Sequence, residues 1–122
     1  MKVLVIDDSD AIRPRMETAL GDISGIVVKS FAPRSGGTMQ CIAKLKPDAV
    51  VISICADGGS IGLIRVIKST MHPPVVIAMS GSSSIQYRAA CHGAGAEYFF
   101  DMDREQPRML EAISELQKEL NG

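Results

Sequence analysis

The 122-residue sequence predicts an α/β fold, a doubly wound five-stranded parallel sheet held in a three-layer sandwich between helices. Two observations predict it. Five short apolar runs, 3–6 (VLVI), 26–28 (IVV), 49–54 (AVVISI), 75–79 (VVIAM) and 98–100 (YFF), are rich in β-branched and aromatic residues and too short for helices. Segments of helical length with one apolar face separate the runs, and strands alternating with helices build parallel crossovers. Because the runs are continuous rather than alternating, both faces of each strand are expected to be covered.

The first run ends at Asp7 and Asp8. Ser9 or Asp10 can then cap a helix whose apolar face is Ile12, Met16, Ala19, Leu20 and Ile23. Pro14 removes a bond early in that helix and predicts a kink or a late start. The second helix carries Met39, Ile42 and Leu45, and Gly36 and Gly37 weaken its beginning. A third, more apolar helix lies around 61–68, and a fourth turns Tyr87, Ala90, Cys91 and Ala94 inward. The last presents Met109, Ile113, Leu116 and Leu120, with Asp103 placed to cap it and Pro107 suited to its opening turn. Met16, Met39, Met79 and Met109 fall at inward positions and read as packing.

This length suits one domain, 1–122, with a single core and no output domain. Net charge is -1 and aromatic residues make up 4%, so neither a basic nucleic-acid surface nor a stacking platform is expected. No window is long and apolar enough for a membrane span, and the first run is too short for a signal peptide. The three cysteines, Cys41, Cys55 and Cys91, lack the spacing of a zinc site and read as free buried thiols, Cys55 as a small apolar filler. A cytoplasmic setting is expected. His72 and His92 read as solvated side chains rather than ligands or bases.

In open α/β sheets ligands gather outside the carboxyl ends of the strands. Those ends hold Asp7 and Asp8, then Ser53 to Asp57, then Ser80 and Gly81, then Asp101 to Asp103. Two adjacent carboxylates at the end of a buried strand need a divalent cation, a basic side chain or backbone amides to offset their repulsion. Helix capping accounts for one of them, not for the pair.

Taken in order, "VLVIDDS", "LKPDAVVIS", "PPVVIAMSG" and "GAGAEYFFDMD" make the chain resemble the receiver domains of two-component response regulators over nearly its whole length. The resemblance implies a flavodoxin-like (βα)5 receiver fold and a signalling domain rather than an enzyme. In that family an acidic pair, here Asp7 and Asp8, helps bind Mg²⁺, and an Asp ending the third strand accepts a phosphoryl group from a histidine kinase. A hydroxyl after the fourth strand, here Ser80 followed by Gly81, follows the phosphate, and a Lys after the fifth contacts it. The pattern breaks twice: Ser53 stands at the phosphoacceptor position and Met102 at the Lys position. The loop after the third strand, "ICADGGSIG", is one residue short and lacks its usual proline.

An alcohol needs a base where a carboxylate is already a nucleophile, the ion loses a charged ligand, and a thioether cannot clamp phosphoryl charge. Asp phosphorylation is therefore expected to be lost and Mg²⁺ binding to be weak. Function would pass through protein contacts with a histidine kinase or downstream effector. The surface implied by the resemblance carries Gln86, Arg88, Tyr98, Arg108 and Phe99, the last also matching the family's switch aromatic. A monomer or weak dimer is expected. Two alternatives stay open: phosphorylation at Ser53 or at a displaced Asp57, and a small haloacid-dehalogenase-like phosphatase using Asp8 and Asp10, with Ser80 as its strand-end hydroxyl.

Overall fold

The computed structural model describes residues 1–121. Five strands alternate with five α-helices: β1 Lys2–Ile6, α1 Ile12–Gly21, β2 Val27–Phe31, α2 Thr38–Leu45, β3 Ala49–Ile54, α3 Ser60–Lys68, β4 Val75–Ser80, α4 Arg88–Ala94, β5 Tyr98–Asp101 and α5 Gln106–Asn121. Every strand pair is parallel, and the order is β2-β1-β3-β4-β5. The order reverses between β1 and β3, and the crevice of such a sheet opens at that point.

Alternation along the strands divides the core in two. Val3, Val5, Val51, Ile77 and Met79 face α1 and α5, where they meet Met16, Leu20, Met109 and Ile113. Leu4, Ile52, Ala78 and Phe99 face α2, α3 and α4, where they meet Ile42, Ile64, Ile67 and Cys91. The same alternation puts Ser53, which follows Val51 by two residues, on the α1/α5 side.

The expectation of two covered faces holds for β1, β3 and β4 and fails for β2. That strand runs to Phe31, beyond the predicted 26–28, and lies at the sheet edge, where Val27 is 54% exposed. Pro14 does not delay the helix, because α1 already begins at Ile12 and runs through it to Gly21. Ser9 rather than Asp10 closes the first turn: its Oγ accepts the Ile12 N–H at 3.1 Å and its carbonyl accepts the Arg13 N–H at 3.1 Å.

At the other end of the chain Asp103 is exposed and caps nothing. The Glu105 carbonyl accepts the Met109 N–H at 3.1 Å, while Asp101 folds the preceding turn by accepting the Asp103 N–H at 2.8 Å. Ala90 and Leu120 face solvent rather than the core.

Only Cys91 is a buried thiol; Cys41 is half-buried and Cys55 exposed, so Cys55 fills no core gap. Burial pushes the Cys91 thiol up, which keeps it protonated and unreactive at neutral pH. Cys55 is expected to react first with iodoacetamide in the native state, and Cys91 only after unfolding. Peptide mass mapping over a time course checks the order.

Candidate functional site

The carboxyl ends of β1, β3, β4 and β5 converge on a cleft of about 530 Å³, bounded by Asp7, Ser53, Asp57, Leu63, Gly81 and Met102 among others. Asp7 is 5% exposed and both its carboxylate oxygens are engaged. Oδ1 accepts the Ser9 N–H at 2.7 Å, and Oδ2 accepts a hydrogen bond donated by the Ser53 hydroxyl. The backbone fixes this pairing, since Ile6 and Ile52 are register partners, which sets Asp7, just past the end of β1, beside Ser53, still on β3.

Asp8 turns the other way, toward the loop after β2. Its Oδ1 accepts the Arg34 N–H at 2.8 Å, and its carbonyl accepts from Arg34 Nη1. Pro33 opens the short 3₁₀ turn Pro33–Ser35 that presents Arg34, with φ set in advance by its ring. Arg34 Nη2 lies 3.0 Å from each carboxylate oxygen of Asp10. Arg13 reaches the same group from α1, with Nη2 2.6 Å from Asp10 Oδ1 and Nη1 donating to the Asp7 carbonyl at 2.8 Å.

The hydrogen bonds from Arg13 and then Arg34, with the charge of Arg34, hold the Asp10 carboxyl below the usual carboxylate range. A depressed folded-state pKa stabilises above the unfolded value and is lost as pH falls through the lower folded one. The bridge is therefore complete at neutral pH and released only in acid. Both partners are largely solvated, so its contribution to global stability is small.

Ser80 is fully buried, and its Oγ has no hydrogen-bond partner among the described residues. Its carbonyl accepts the Met102 N–H at 2.7 Å, which brings β4 and the residue after β5 together. Met102 lines the cleft and packs against the α1/α5 core cluster, so the corner where the resemblance expects an ammonium is apolar. Asp57 lines the cleft too, but its Oδ1 accepts the Gly59 N–H at 2.9 Å, as a turn residue does. Ser60 Oγ donates to the Ser53 carbonyl at 3.0 Å and lies 3.3 Å from Cys55 Sγ, tying the loop to the start of α3.

The donor set does not fit Mg²⁺ in the way the resemblance implies. Magnesium demands near-octahedral oxygen coordination, usually including carboxylates. Here the Asp7 oxygens are engaged by Ser9 and Ser53, Asp8 accepts from Arg34, and Ser53 brings no charge. Among the described residues no group of three or more His, Cys, Asp or Glu side chains is placed to hold a metal ion.

On the α4, β5 and α5 face the predicted residues divide. Gln86, Arg88 and Arg108 are exposed, and Tyr98 is half-buried, stacked on Phe100 at 5.7 Å between ring centres. Phe99 is 3% exposed, so its ring lies in the core beneath that face rather than on it. The Arg88 guanidinium lies 4.8 Å from its ring centre, and Nη1 donates to the Phe99 carbonyl at 3.2 Å. Arg13 and Arg34 were not singled out from the sequence. The available signal for Arg34 was its place just past the carboxyl end of the second strand.

The family profile described as response regulator receiver domain matches residues 3–114. The chain is 28% identical over 116 residues to response regulator GacA of Pseudomonas syringae pv. syringae (strain B728a), an alignment covering 93% of this chain and 53% of that protein. It is 28% identical over 98 residues to protein-glutamate methylesterase/protein-glutamine glutaminase 5 of Myxococcus xanthus, covering 79% of this chain and 28% of that one. The chain thus spans about half the length of GacA or less of the relatives it matches.

Among solved structures, the signal receiver domain of a DNA binding response regulator protein (merR) from Colwellia psychrerythraea 34H superposes with a TM-score of 0.80 at 22% identity, covering 97% of this chain and 98% of that one. The receiver domain of the putative response regulator NarL from Mycobacterium tuberculosis also gives 0.80, at 19% identity, covering 96% and 95%. These likenesses concern the fold. No helix among the described residues is long and apolar enough to cross a membrane. With the matched span taking in Asp7, Asp8, Ser53, Ser80 and Met102, the chain belongs to the response regulator receiver domain family of two-component signalling.

Proposed function

We propose that this receiver domain signals through protein contacts without forming an aspartyl phosphate. One observation carries the reading: the residue at the acceptor position is Ser53, and its hydroxyl is spent as a donor to Asp7. An incoming phosphodonor meets the engaged carboxylates of Asp7 and Asp8 and the thioether of Met102, and the cation on the cleft wall, Arg34, is already occupied by the Asp8 carbonyl and the Asp10 carboxylate. The exposed Gln86, Arg88 and Arg108, the two arginines sharing Glu105, supply a polar, charged face for a histidine kinase or a downstream effector, acting in the cytoplasm. Arg88, paired with the Phe99 ring and carbonyl, holds the switch-position aromatic inward beneath that face.

A second reading draws on the same hydrogen bond, because a carboxylate that accepts from a hydroxyl is placed as a general base toward it. Ser53 would then be the acceptor. The phosphatase alternative has no such support, since Asp8 and Asp10 are held by Arg34 and Arg13.

Incubation with acetyl phosphate and Mg²⁺, followed by intact mass, is expected to give no phosphate increment. An increment stable to hydroxylamine would point to Ser53. One removed by hydroxylamine would mark an acyl phosphate, on Asp57 or elsewhere, and end the proposal.

A further inference from the structure

We propose that the Arg34 guanidinium is the resident cation of the strand-end acidic cluster, neutralising it from within and excluding a divalent ion. The inference deepens the reading above, because a pocket that has given up phosphoryl chemistry no longer needs an exchangeable metal.

The cluster brings three carboxylates, Asp7, Asp8 and Asp10, to one end of the sheet, where their mutual repulsion needs an offset. Two guanidiniums provide it. Arg13 comes from the following helix and is partly covered. Arg34 comes from a different strand end, and its guanidinium makes three contacts, Nη1 to the Asp8 carbonyl and Nη2 to both Asp10 oxygens, while its backbone N–H makes a fourth, to Asp8 Oδ1. A planar fork of fixed donors suits such a set better than an ammonium does.

The contacts also fall where a divalent ion would need free oxygens. Asp8 is the less buried member of the pair at the β1 end and the one turned to solvent, yet it accepts from Arg34 twice. An ion approaching it meets a fixed positive charge as well as an occupied carboxylate oxygen. The remaining acid, Asp7, is covered, and each of its oxygens already accepts a hydrogen bond, from Ser9 and from Ser53. Half-exposed ion pairs add little to folding stability, but a like charge held beside the acids by the Asp8 carbonyl and Asp10 opposes the approach of a dication.

The backbone bond from Arg34 to Asp8 survives any side-chain substitution, so variants isolate the guanidinium. The test follows amide line broadening by MnCl2 in the full chain. Wild type is expected to show no selective broadening at Asp7, Asp8, Ser53 or Arg34 through millimolar Mn²⁺. Arg34→Ala is expected to broaden there with an affinity raised roughly tenfold or more, and Arg34→Lys, which keeps a charge but loses the fork, is expected to fall between.

Selective broadening in wild type at micromolar Mn²⁺ would overturn the inference. So would an Arg34→Ala protein, folded by its amide spectrum, that responds no more than wild type. Neither readout involves phosphate, so phosphodonor labelling of the wild type would sink the proposed function while leaving this result standing.

Discussion

Cutting Ile52 back to alanine is expected to cost about 2–5 kcal/mol of folding free energy, whereas the same truncation at Val27 is expected to cost under about 0.5 kcal/mol. Ile52 sits on the central strand, 1% exposed, with Ile6 and Ala78 as its register partners. Its side chain lies among Leu4, Ile64 and Ile67 in the core beneath α2, α3 and α4. Truncation removes apolar area and leaves a cavity that a sheet paired on both sides cannot collapse to fill. Val27 begins the edge strand with its side chain half in water, so little packing is lost. Urea unfolding midpoints at unchanged slope measure both. Equal losses at the two sites would mean that β2 is covered by something on its outer side.

Restoring the family acceptor should also be costly here. Ser53→Asp is expected to lower stability by about 3 kcal/mol at pH 7, against about 1.5 kcal/mol for Ser53→Ala. Alanine only removes a hydroxyl donor from Asp7. Aspartate removes the donor and sets a second negative charge against a carboxylate that is already buried. The new carboxyl's folded-state pKa is therefore raised, so the penalty is present above that value and absent below the unfolded one. Lowering the pH toward 4 should bring Ser53→Asp back toward Ser53→Ala in stability. Adding Met102→Lys puts an ammonium at the apolar corner of the same cleft and should recover part of the loss. Thermal unfolding across pH reads all three. A Ser53→Asp protein as stable as its parent at every pH would show that Asp7 and Ser53 do not face each other.

Most of the architecture was legible in local pattern. The runs at 3–6, 49–54 and 75–79 are β-branched and continuous because both of their faces pack, and each became a central strand. The run at 26–28 has the same composition, yet its strand is an edge that continues through polar Lys29 and Ser30. Composition reports burial, and an edge strand is held as much by its one hydrogen-bonded neighbour as by side-chain burial. Cap residues were ambiguous for a related reason. Ser9, Asp10, Asp101 and Asp103 all carry the short polar side chains that caps use, and which one meets a free N–H depends on where the chain turns. Phe99 was assigned by resemblance to a contact surface, but its parity on β5 turns it inward with Leu4 and Ile52.

By itself, the sequence determined the order of strands and helices, the gathering of Asp7, Asp8, Ser53, Ser80 and Met102 at one end of the sheet, and the absence of an anionic acceptor and a cation at two of those positions. These are properties of periodicity and residue identity, which need no partner to be read. Only the tertiary structure decided what answers the acids: Ser53 donates to Asp7, while Arg13 and Arg34 close on Asp10 and Arg34 on Asp8. Arg34 stands 26 residues from Asp8 along the chain. Nothing in local pattern links residues so far apart until parallel pairing of β1 with β2 brings their ends together.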